Sequence, residues 1–103
     1  MRIFASVLTA SLLLAASASA QAPISDEHYV QMARCAGLKA GARQDASIFD
    51  AVVRSSSAGR ARGVRNAAAA QRRSAAEQMR RADDALKSQL EAEISTRCVS
   101  PVA

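Results

Sequence analysis

Aromatic residues are nearly missing from this 103-residue chain: it has no tryptophan, one tyrosine and two phenylalanines. A surface that stacks successive bases of a single strand needs several aromatic faces, so that mode of nucleic-acid binding is excluded. Histidine occurs once, at His28, and cysteine twice, at Cys35 and Cys98. A zinc site draws on about four such ligands, and no C-x-x-C pair is present to act as a redox centre. Neither a Gly-rich phosphate loop nor a G-x-S-x-G nucleophile turn occurs. The carboxylates of Asp26-Glu27 and Asp83-Asp84 are sequence neighbours, which point to different sides of a helix and suit dipole and ion-pair roles. His28 falls in a first helical turn, as a surface or partly capping group. The expectation is a protein without catalytic activity, metal or cofactor.

Long apolar runs are also missing. The longest, Ile3 to Ala16, is 14 residues, short of the roughly 20 a helix needs to cross a bilayer. Its context is that of a secretory signal peptide: a positive Arg2, the apolar run, then small residues ending at Ala18-Ser19-Ala20. Ala18 and Ala20 supply the small side chains that signal peptidase requires, whereas a cut after Ala22 would set Pro23 beside the scissile bond. The expected division is residues 1–20 as a cleaved leader and 21–103 as one small domain, exported to the periplasm or beyond, with no transmembrane span after processing.

The 83 residues from Gln21 include sixteen large apolar side chains, a thin core. Domains of this size usually need a staple, a metal or a partner subunit. In an oxidising compartment Cys35 and Cys98 are the staple, an intramolecular disulfide.

Nineteen of those 83 residues are alanine, proline is confined to positions 23 and 101, and no segment alternates over strand length. The fold class is therefore all-α. Ser25 caps a first helix with Asp26 and Glu27 in its opening turn and Gly41 near its end. "SIFD" at 47–50 matches a capping box and starts a short second helix. Residues 58–63 form a bend. A long C-terminal helix follows from about Val64 to Arg97, because Val64, Ala68, Ala75, Met79, Ala82, Leu86 and Leu90 fall within an arc of roughly 80°. These elements predict a small helical hairpin, or three-helix domain, closed by one disulfide.

Charge of one sign is scarce where the other is dense. Residues 54–81 hold eight arginines and a single acid, Glu77. Asn66 and Gln71 accompany them, yet no aligned set of base-reading side chains does, so nucleic acid is not the expected partner. Two alternatives stand. The arginines form a solvated helix face laced by pairs such as Glu77 with Arg73 and Arg81, Arg80 with Asp84, Asp83 with Lys87 and Glu93 with Arg97. Alternatively, Arg60, Arg62, Arg65, Arg72, Arg73 and Arg80 contact an anionic envelope surface of lipid, lipopolysaccharide or polysaccharide. The leading expectation is a small exported helical protein acting through protein contacts, with a protein partner or as a homo-oligomer; the basic envelope-surface protein is the alternative.

Overall fold

The computed structural model describes residues 23–101, and the expected signal peptide with its cleavage residues Ala18 and Ala20 lies outside them. Four helices and no strand occur among the described residues: α1 (Asp26–Gly41), α2 (Ser47–Ser55), α3 (Arg62–Arg81) and α4 (Asp84–Arg97). The all-α class is as expected. None of these helices is long and apolar enough to cross a membrane.

Ser25 caps α1 as predicted, its hydroxyl accepting from the His28 backbone N–H at 3.1 Å. The helix ends in a Schellman closure: Gln44 N–H donates to Lys39 O at 2.8 Å and Arg43 N–H to Ala40 O at 3.0 Å. Arg43 takes the left-handed conformation there, φ 62°, where glycine is usual. The second helix starts differently from the expected capping box. Ser47 is already helical, Ala46 holds the cap position, and the Asp45 carboxylate accepts from Ser47 N–H at 2.9 Å. Asp50, which the box required to turn back, reaches α3 instead. The bend is a turn closed by Arg60 N–H to Ser57 O, with Gly59 at φ 81° in its third position, as a type II turn requires.

The expected long C-terminal helix is broken in two. Ala82 is extended (ψ 135°), and Asp83 caps α4 by accepting from Leu86 N–H at 2.9 Å. The local charges favour the break: Arg80 and Arg81 end α3 on its negative pole, and Asp84 opens α4 on its positive pole. The single predicted stripe is thereby divided. Val64, Ala68, Ala75 and Met79 face α1 from α3, Leu90 and Ile94 face it from α4, and Leu86 is left 39% exposed.

The break also reverses the expected direction. In a hairpin the long helix would run antiparallel to α1; instead α3 runs parallel to it. Ala33 clusters with Ala68, Gly37 abuts Arg72 and Ala75, and Gly41 abuts Ala76 and Met79. Helix α4 then returns, placing Glu93 on Arg34 and Cys98 on Cys35. The topology is up-down-up-down with α1 as hub, since all the extensive helix packing involves it, most of all with α3. Accordingly α1 supplies much of the core, at Tyr29, Met32, Ala33, Cys35, Ala36, Gly37 and Leu38.

The disulfide joins Cys35 to Cys98 across 63 residues with their Cα atoms 5.5 Å apart. Among the described residues, every buried core residue lies between Tyr29 and Cys98.

Candidate functional site: arginine struts and an open groove

The arginines divide by what holds them. Arg60 lies over the Tyr29 ring, 4.5 Å from its centroid. It donates to Asp26 Oδ1 (2.6 Å), Ile24 O (2.7 Å) and Ser56 O (2.7 Å), leaving its side chain 9% exposed. Arg72 makes a two-pronged bridge to Asp50, 2.8 Å on each prong, tying α3 to α2. Arg34 does the same to Glu93 at 2.7 and 2.9 Å, tying α1 to α4. These three guanidinium groups are struts between elements distant in sequence.

Glu77 takes both Arg80 (2.9 Å) and Arg81 (2.6 Å). The expected pairing of Glu77 with Arg73 does not form, nor do those of Arg80 with Asp84, Asp83 with Lys87 and Glu93 with Arg97. Asp83 is occupied as a cap and Glu93 by Arg34. Of the six arginines predicted to meet an anionic partner, Arg60 and Arg72 are thus committed inside the fold and Arg80 shares an acid. Arg65 is exposed and donates to Arg60 O at 2.7 Å. Arg62 and Arg73 are exposed with no ion pair among the described residues. His28, expected as a surface or capping group, donates from Nε2 to Pro101 O at 2.9 Å, fastening the C-terminal segment to α1.

The struts set an acid dependence. The Glu93 carboxyl is held below its ordinary value by the hydrogen bonds from Arg34, with the charges of Arg34 and Arg97 adding, against the opposing effect of burial. Asp50 is lowered in the same way by Arg72. A lowered folded-state value means that the stabilisation is complete above the unfolded-state value near 4 and is lost as pH falls through the folded one. Denaturant melts should therefore weaken below about pH 4. Replacing both acids, Asp50→Asn with Glu93→Gln, should lower stability by about 2 kcal/mol at neutral pH and flatten that acid limb. An acid limb of unchanged steepness in the double variant would rule the struts out as its cause.

Taking Tyr29 as zero and about 100° per residue, Tyr29, Ala33 and Gly37 cover an arc of roughly 80° towards α3. Cys35 points to α4, and Lys39 meets Phe49 of α2, 5.4 Å from the ring centroid. The remaining sector carries Glu27, Val30 and Arg34, and no helix covers it. It floors an open groove of about 710 Å³ between α3 and α4. Val64, Ala67 and Gln71 form one wall and Glu93 and Arg97 the other, with more apolar than polar surface. Val30 and Val64 remain partly exposed within it. Sequence reasoning missed this groove, because it depends on α3 and α4 diverging from the break at Ala82.

No protein-family model matches the chain, and no curated protein and no solved structure does either.

Proposed function

We propose that this is an exported, non-enzymatic helical protein, processed after Ala20, that works by docking a segment of a protein partner into the groove between α3 and α4. The observation that supports this reading most is the uncovered side of α1. A helix central to a bundle normally has its whole circumference covered, and here the side of its N-terminal half that carries Glu27, Val30 and Arg34 is open, leaving Val30 of α1 and Val64 of α3 partly exposed. The small side chain of Ala67 on the groove wall permits close approach of an inserted backbone. Its charges are balanced, with Arg34 neutralised by Glu93 and with Glu27 and Arg97 at the same end. A largely apolar segment, helical or extended, suits such walls better than a highly charged one.

The test is photocrosslinking in the producing cell from a reactive residue at Gln71, in the groove, and at Ser95, on the outer side of α4. A discrete adduct is expected from Gln71 alone, and it should vanish with Ala67→Trp, which fills the slot. An adduct of twice the chain's mass would identify a second copy as the occupant. Equal capture from both positions, or capture unaffected by Ala67→Trp, would sink the proposal.

A further inference from the structure

Between Asp50 and Glu77 the chain carries no acid and six arginines. The fold neutralises two of them with acids from outside that interval, Arg60 with Asp26 and Arg72 with Asp50. Arg54, Arg62, Arg65 and Arg73 remain, all exposed and without an ion pair among the described residues. They are not scattered. On α3, Arg62 and Arg73 lie on the side away from α1, and Arg65 is turned from them by roughly 60 to 80° towards α2. The Asp50–Arg72 bridge sets the register of α2 against α3, and Arg54 is close enough to Asp50 to lower its carboxyl further. Arg54 therefore sits one helical turn from that bridge, on the Arg65 side. The four charges make one patch along the α2–α3 seam, with Arg62 and Arg73 about 16 Å apart along the helix axis.

We propose that this patch is a membrane-surface contact that holds the protein against anionic phospholipid head groups. Arg62, Arg65 and Arg73 project from the exposed surface of α3 with Arg54 beside them on α2, a spread that meets a plane of phosphates with several arginines at once rather than enclosing a single polymer chain. Between the arginines stand Asn66 and Ala69, both exposed, with neither an aromatic residue for stacking a base nor a bulky apolar residue for insertion. The contact is thus peripheral and electrostatic. Arginine favours phosphate because its planar fork donates two parallel hydrogen bonds. The groove opens on the other side of α3 and stays accessible in this orientation, so the two proposals stand or fall separately.

The test is flotation of residues 21–103 with vesicles of phosphatidylcholine alone or mixed with phosphatidylglycerol, over a salt series. Binding is expected only to the mixed vesicles and should weaken as salt shortens the screening length below about 10 Å. Each arginine near an anionic bilayer contributes roughly fivefold to partitioning, so Arg54→Gln, Arg62→Gln, Arg65→Gln and Arg73→Gln together should cost at least about 100-fold. A charge-matched variant, Arg43→Gln, Arg81→Gln, Lys87→Gln and Arg97→Gln, should lose far less. Circular dichroism of both variants checks that each is folded. Equal losses in the two variants, equal binding to neutral vesicles, or tighter binding to a soluble oligonucleotide than to the mixed vesicles would overturn the assignment.

Discussion

Gly37→Ala is expected to lower the melting temperature of this domain by roughly 12 to 24 °C, from a loss of about 3 kcal/mol at some 4–8 °C per kcal/mol. The sign makes the test informative. In an exposed helix interior alanine is better than glycine by about 1 kcal/mol, so the intrinsic preference favours the substitution. At Gly37 an added Cβ would collide with the backbone carbonyl of Arg72 and lie 3.0 Å from Ala75 Cβ. A backbone carbonyl inside a helix cannot move aside as a side-chain end can, so α1 must lift away from α3. Gly41 repeats the arrangement one turn on, where a Cβ would stand 2.6 Å from Ala76 O and 2.8 Å from Met79 Cβ. Gly63, also helical, has nothing within 4 Å, and Gly63→Ala should raise stability by up to about 1 kcal/mol. Calorimetry of the two single variants would show opposite shifts. A Gly37→Ala protein as stable as the parent would mean that α1 and α3 do not approach as described.

The same contact shows what can be read from a chain like this and what cannot. Local signals were legible in part: Ser25 with its two following acids starts α1 and the lone cysteine pair forms the staple, whereas α1 is closed by Arg43 and not by Gly41, which is still helical. The series Ala33, Gly37, Gly41 is also a visible run of small residues on one helix face. Its use as a seat for another helix depends on a partner thirty or more residues away. The break at Ala82 was encoded too, by two arginines before it and two aspartates after, since an aspartate at Asp83 competes for the cap position that a continuous helix leaves unused. The long apolar stripe concealed it, because the stripe continues through the break on a helical wheel although the chain does not. That one misreading reversed α3 and hid the groove.

The arginine struts were illegible for a different reason. Counting partners at three or four residues finds pairs within a helix, such as Glu77 with Arg81. The stronger bridges of Arg34, Arg60 and Arg72 span 59, 34 and 22 residues, and only the tertiary fold selects them. Once selected, they change the functional arithmetic. A region that reads as eight equivalent cations becomes four that maintain the fold or share an acid and four left for solvent or a partner surface.

Removing the disulfide is the second change expected to have a large effect. In the chain-entropy account, closing a 63-residue loop restricts the unfolded chain by about 4 kcal/mol. Total stabilities of small domains run from about 5 kcal/mol upward, and this core relies heavily on alanine, so the bridge is a major share. Cys98→Ser, or complete reduction, is expected to lower the melting temperature by roughly 15 to 30 °C and, in the variant, to leave one titratable thiol at Cys35. Because Cys35 is 0% and Cys98 2% exposed, a reductant must wait for the fold to open. Reduction of the native protein should therefore be slow and should accelerate as denaturant is added. Residues 21–103 made in a reducing cytoplasm should accumulate mostly as degraded or aggregated chain, and the same residues sent to an oxidising compartment should accumulate folded. Equal melting temperatures for the oxidised and fully reduced protein would remove the staple, and with it the support that the proposal of export draws from this fold.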